Sequence, residues 1–77
     1  MSSAELEQRK RRILALVVES YIGTATPVGS ESLCRKLRQS ISPATIRHVM
    51  AELDHEGLLE QPHTSAGRRP TDRGYRL

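Results

Sequence analysis

Ser42-Pro43-Ala44-Thr45-Ile46-Arg47 carries the strongest local signal in this chain. A serine hydroxyl can accept from the unpaired amides of a helix's first turn. A proline at the first helical position lacks an amide that would have no partner there, and its backbone angle is already helical. The pair predicts a helix beginning at residue 43. Ile46, Val49, Met50 and Leu53 follow at spacings of three and four, giving that helix one apolar stripe to bury. It should run to about Glu56, with Gly57 as its C-terminal stop.

Two helices are expected upstream. From Glu5 to Ile22, Leu6, Ile13, Leu14, Val17 and Tyr21 fall on one stripe, widened by Val18 and Ile22. Arg9, Lys10, Arg11 and Arg12 form a solvated face. Gly23 supplies the stop, and Pro27 forbids continuation. Ser30 is the expected N-cap of a short second helix reaching about Arg38, with Leu33, Cys34 and Leu37 inward. Gln39 to Ile41 is a short connection.

Downstream of Gly57 the period changes. Leu58 to Pro62 is a short strand candidate, and His63 to Gly67 is a turn of small and polar residues. Arg68 to Thr71 is the returning strand, with Pro70 confining it to a sheet edge. Thr71-Asp72 then begins a fourth helix. The chain holds barely one turn of it before Leu77, so 71–77 is expected to lead into a further, C-terminal domain. The whole, 1–77, reads as one domain: mainly α with a small β-hairpin, in the element order of a winged helix-turn-helix.

Composition narrows what such a domain can do. Seventy-seven residues, 36% hydrophobic, with no Phe or Trp and two Tyr, make a thin core; folding at this size buries about 60% of the extended chain's surface. A deep cofactor pocket and a self-contained enzyme are both disfavoured, and no cofactor is expected. No phosphate-binding loop, metalloprotease helix motif or nucleophile elbow is present. A single cysteine excludes an internal disulfide and a Cys-rich zinc module. The longest apolar run, Ile13 to Val18, is far short of the ~20 residues that span a bilayer. The first residues lack a signal-peptide layout, so a reducing cytoplasm is the expected location.

The net charge of +3 is unevenly spread. Residues 1–38 carry +3, residues 39–60 carry −3, and residues 61–77 carry +3 again, from Arg68, Arg69, Arg73 and Arg76 against Asp72. A basic excess favours an anionic partner. The third helix places Thr45, Arg47 and His48 in its leading half and its acids, Glu52, Asp54 and Glu56, in its trailing half. Entry into a major groove by the leading end requires that asymmetry. The helix start would also favour a phosphate near Ser42. Ser65-Ala66-Gly67-Arg68, the hairpin tip, sets Arg68 and Arg69 where they could reach a minor groove or flanking phosphates.

These residues resemble a known family. Pro27-Val28-Gly29-Ser30, Ser42 to Arg47, Met50 to Leu53, Gly57-Leu58, the run Gln61-Pro-His-Thr-Ser-Ala-Gly-Arg68, Pro70-Thr71 and Gly74 to Arg76 are similar to the N-terminal DNA-binding domain of the bacterial heat-inducible transcription repressors (HrcA). The likeness runs from about Arg11 onward. It implies a winged helix that binds double-stranded DNA at an inverted-repeat operator upstream of chaperone operons, as a homodimer. It also implies dimerisation and regulation largely in further domains, and control linked to heat and to the chaperonin. The DNA-binding residues expected are Ser42, Ala44, Thr45, Arg47, His48, Val49, Arg68 and Arg69. The family usually has Asn-Asp at His48-Val49 and Ile at Arg69. An acid in place of Val49 implies an exposed position, from which Val49 would touch a thymine methyl instead of packing inside.

Plainer readings stand beside these. Arg47 could be a solvated arginine paired with Glu52 or Glu56, a weak interaction at a surface. His48 could be an ordinary surface polar residue, and Ser42 is fully explained as an N-cap. The basic wing could serve a protein-interaction module with an acidic partner. Cys34, His48, His55 and His63 raise a metal-responsive regulator, but His48 and His55 lie two turns (~10.5 Å) apart on one helix, and no metal site is expected.

Overall fold

The serine–proline pair behaves as its chemistry dictates. In a computed structural model describing residues 3–62 and 67–76, Ser42 is extended at φ −67°, ψ 151°, and its hydroxyl accepts from the amide of Thr45 at 3.2 Å. The helix it starts, α3, spans Pro43–His55 and closes on Gly57, whose φ of +78° suits glycine. Before it come α1 (Ser3–Thr24) and α2 (Ser30–Lys36); after it come β1 (Leu59–Glu60), β2 (Arg69–Pro70) and α4 (Asp72–Arg76). This is a winged helix-turn-helix, mainly α with one small hairpin.

The core forms where the stripes meet. Ile13, Leu14 and Val17 of α1, Leu33 and Cys34 of α2, Leu37 just beyond it, and Ile46, Val49, Met50 and Leu53 of α3 are all buried, joined by Val28, Leu58 and Leu59. Val49 is 1% exposed. The thymine-contact expectation for it is therefore wrong, and the periodicity of three and four is right. Ile22 was expected to widen the inward stripe of α1 but is 70% exposed. With Leu14, Ala15, Val18 and Tyr75 it lines a shallow groove of about 660 Å³ between α1 and α4, to which no residue of α3 contributes. The side chain of Leu6 lies outside the described residues.

Three boundaries differ from the sequence expectation, each for a local reason. Gly23 does not stop α1; it is helical, and the left-handed stop is Ala25 at φ 55°. The last turn is closed by threonines: Thr24 Oγ1 donates to the Ser20 carbonyl at 2.9 Å and accepts from the amide of Thr26 at 3.2 Å. Ser30 is not a cap but the first residue of α2, and the capping position falls on Gly29 with no side-chain hydrogen bond. α2 ends at Lys36, before Arg38, because Arg38 and Gln39 are both left-handed, at φ 54° and 60°. They make the sharp turn that swings the chain toward α3.

The wing is more firmly attached than a lone hairpin would be. β1 and β2 pair antiparallel, Leu59 opposite Pro70 and Glu60 opposite Arg69. Val28, between α1 and α2, adds a further bridge by exchanging backbone hydrogen bonds with Arg68 at 2.8 and 2.9 Å. The returning strand, with Pro70 in it, is an edge of the two-stranded sheet; the Val28 bridge falls at Arg68, one residue before β2 begins. Gly67 permits this approach, since a Cβ there would sit 2.2 Å from the Val28 carbonyl oxygen. At the other end, Thr71 Oγ1 donates to the Gly57 carbonyl at 2.7 Å and accepts from the Gly74 amide at 3.1 Å, tying the start of α4 to the end of α3. The expected hairpin tip, including Ser65 and Ala66, lies outside the described residues.

Candidate nucleic-acid interface

The side of α3 opposite its buried stripe carries the candidate residues. Ser42, Ala44, Arg47 and His48 are exposed there, and Thr45 is half-buried. Ser42 Oγ donates to Thr45 Oγ1 at 2.9 Å while accepting from the Thr45 amide. The Thr45 hydroxyl keeps its own hydrogen for an outside acceptor. The side chain of Arg47 has no ion pair or hydrogen bond with any described residue. The alternative pairing with Glu52 or Glu56 is not formed, because both acids are turned elsewhere.

They turn toward Lys10, which sequence reasoning placed on a solvated face. Lys10 is only 8% exposed. Its ammonium donates to Glu56 and stands 3.9 Å from Glu7 and 3.9 Å from Glu52. The Glu56 hydrogen bond, joined by the charges of Glu56, Glu7 and Glu52, holds the lysine's pKa above its ordinary 10.5 even though burial opposes this. One cation of α1 thereby faces Glu52 of α3 and Glu56 at its C-terminal cap, and fastens the trailing half of that helix to α1. The helical spacing already sets Lys10 apart from its arginine neighbours, since it stands three, four and seven residues before the buried Ile13, Leu14 and Val17. The packing of α1 across α3 supplies the acids it meets there.

The remaining acids of the negative segment are also engaged. Glu52 approaches His48, with Nε2 at 3.1 Å, an i,i+4 pair that the spacing alone makes available. Asp54 accepts from Arg68 Nε at 3.1 Å and Glu60 from Arg69 Nε at 2.8 Å. Arg69 and Glu60 face each other in the hairpin register, and that hydrogen bond, with the Glu60 charge and a smaller contribution from Tyr21, raises the arginine's pKa. The structure therefore places Ser42, Ala44, Thr45, Arg47 and His48 together on one exposed face and puts Val49 in the core. It sets Arg68 and Arg69 on the wing, each already bonded to a carboxylate.

Among the described residues no three His, Cys, Asp or Glu side chains stand together as metal ligands, and no helix is long and apolar enough to cross a membrane.

Comparison with known proteins gives consistent likenesses. The chain is 54% identical over 76 residues to the heat-inducible transcription repressor HrcA of Chlorobium limicola, covering 99% of this chain and 21% of that protein. It is 55% identical over 71 residues to HrcA of Moorella thermoacetica and 58% identical over 71 residues to HrcA of Desulforudis audaxviator, covering 92% of this chain and 21% of each. The chain thus spans about a fifth of the length of the curated relatives it matches. A crystal structure of a hypothetical protein at 2.2 Å resolution superposes with a TM-score of 0.83 at 44% identity, over 88% of this chain and 22% of that one. No family model matches the chain.

Proposed function

We infer that this chain, which belongs with the heat-inducible transcription repressors HrcA and corresponds to their N-terminal domain, is a sequence-specific DNA-binding domain that reads a major groove with α3. The observation that carries this is the charge arrangement on α3. Its exposed face offers Arg47, free of any described acid, with His48 and the Thr45 hydroxyl, while Glu52 faces His48 and Lys10, Asp54 is held by Arg68 and Glu56 by Lys10. A helix that must approach phosphates without repulsion needs its carboxylates neutralised in this way. Arg47 is the base reader, since a guanidinium matches guanine O6 and N7. Thr45 and Ser42 lie where the helix start meets the backbone, and Ala44 leaves room for close approach. Arg68 and Arg69 of the wing would give their remaining donors to flanking phosphates.

In this reading the domain is a regulator and not an enzyme. It works in the bacterial cytoplasm on an inverted-repeat operator, with two copies engaging the two half-sites. Dimerisation, heat control and any dealing with the chaperonin belong to the remaining four-fifths of such proteins, so this domain alone should bind weakly. Selection of bound duplexes from a random pool tests the function and yields the operator. Arg47→Ala should cost ~1–3 kcal/mol and relax preference at one position. If Arg47→Ala leaves affinity for the selected duplex unchanged, the reading face is misassigned. If no duplex is enriched at low salt, a winged helix serving as a protein-interaction module takes the place of a DNA reader.

A further inference from the structure

The turn between α2 and α3 carries a side chain where a glycine would be at ease. The Arg38 amide donates to the Arg35 carbonyl at 3.0 Å, and the Gln39 amide to the Cys34 carbonyl at 2.9 Å. This is the pair of reverse hydrogen bonds that ends a helix through one left-handed residue, a position usually held by glycine. Here it is Arg38, at φ 54°, and Gln39 after it is left-handed as well, at φ 60°. A left-handed conformation costs any residue that has a Cβ. Packing does not require the side chain: that of Arg38 is exposed and has no ion pair or hydrogen bond with any described residue. Strain alone marks no site, since Ala25 is left-handed too. What sets Arg38 apart is its charge and its place.

No acid occurs from Ser32 to Ala51, and Arg35, Lys36, Arg38 and Arg47 all lie in that stretch, all exposed. Arg38 precedes Ser42 by four residues, so its backbone lies within about 14 Å of the start of α3. The major groove is about 12 Å wide, and its walls are phosphates. A helix that enters it by its leading end brings the turn before it to one wall. Resting on the reading of α3 as the groove helix, we propose that Arg38 is a phosphate-contact residue, whose guanidinium holds the DNA backbone on the α2 side of α3. A guanidinium gives phosphate oxygens charge-assisted hydrogen bonds, two in parallel where the geometry allows. Such a contact carries no base information; it fixes the register of the reading helix. The turn fixes where the side chain starts, because the Arg35 and Cys34 carbonyls hold the backbone of 38 and 39. The wing arginines are bonded to Asp54 and Glu60, whereas Arg38 presents its charge with no described carboxylate on it.

Arg38→Gly separates this role from a structural one, because it relaxes the turn while removing the cation. Glycine takes the left-handed region freely, so urea denaturation of the 77-residue protein should show stability equal to the parent's or above it. Affinity for the duplex selected from a random pool should fall about tenfold, the worth of one charge-assisted hydrogen bond, with base preference unchanged. The slope of log affinity against log salt should become shallower by about 0.9, and Arg38→Lys, which keeps the charge, should keep the slope. Replacing single phosphates of that duplex by neutral methylphosphonates should find one whose neutralisation weakens the parent and not Arg38→Gly. Unchanged affinity and slope in Arg38→Gly overturn the proposal. So does a loss of stability there, which gives Arg38 a structural role, and so does a shifted base preference, which makes it a base reader. A selected duplex that Arg47→Ala weakens and Arg38→Gly does not leaves the groove reading standing and removes this inference alone. Failure to enrich any duplex removes both.

Discussion

Gly67→Ala should unfasten the wing from the rest of the molecule. The added Cβ would lie 2.2 Å from the Val28 carbonyl oxygen, 2.3 Å from its carbon and 2.7 Å from the Gly29 nitrogen. All three are backbone atoms, so no rotamer change relieves the contact. Ordinary contact begins near 3.4 Å, so the two segments must part by about 1.2 Å. The Val28–Arg68 hydrogen bonds, 2.8 and 2.9 Å long, cannot survive that separation. Two net hydrogen bonds at about 1 kcal/mol each give a loss of about 2 kcal/mol. For a domain of this size that is a fall of roughly 8–16 °C in Tm. Urea denaturation gives the free energy, and amide exchange gives the place: the Val28 and Arg68 amides should lose protection while those of α3 keep most of theirs. A variant as stable as the parent, with the Arg68 amide still protected, would show that the close approach of Gly67 to Val28 is not what holds the wing.

Gly23→Ala should do the opposite, because Gly23 is helical and a Cβ there meets nothing within 4 Å; thermal melts should show a gain of about 0.5 kcal/mol, and a loss would mean Gly23 terminates the helix after all. Val49→Ala removes two buried carbons and should cost about 2 kcal/mol in stability, with base preference in a duplex selection unchanged; altered preference would return Val49 to the DNA face. Arg68→Ala should remove one phosphate contact. The slope of log affinity against log salt should then become shallower by about 0.9, and an unchanged slope would mean Arg68 does not touch DNA.

The sequence disclosed the helices that carry their own punctuation and pattern. The Ser42-Pro43 start, the Gly57 stop and the buried set Ile46, Val49, Met50 and Leu53 follow from local chemistry alone, because cap geometry and period need no partner to be recognised. Some of the errors are local, and others lie where a distant residue supplies the missing half of the argument. Gly23 and Ser30 are good stop and cap residues, yet Thr24 and Thr26 close α1, and Gly29 takes the capping position of α2. Val28 has no strand neighbours in sequence and is bridged to the wing only because Arg68 is brought beside it. For the site, the leading half of α3 was legible from spacing, whereas the fate of its acids was not. An expectation of exposure drawn from the acid usual at position 49 also failed, since the side chain present here is valine and it packs as valine does.

The fate of those acids changes what the charge distribution means. Read along the chain, residues 39–60 carry −3 and look like a poor surface for DNA. In the folded domain Glu56 and Glu52 meet Lys10, Glu52 also meets His48, Asp54 meets Arg68 and Glu60 meets Arg69. The negative segment is largely offset by cations drawn from both basic segments, and Arg47 is left as the cation on the exposed face of α3 that no described acid occupies. The offset does not close the wing to DNA. Arg68 and Arg69 each give only Nε to a carboxylate, so their remaining guanidinium donors stay available to a phosphate. Lys10, buried and bonded to Glu56, has no such freedom. The same set of carboxylates thus holds one cation between α1 and α3 and two others on the wing, and in the proposed reading it is the wing pair that meets DNA.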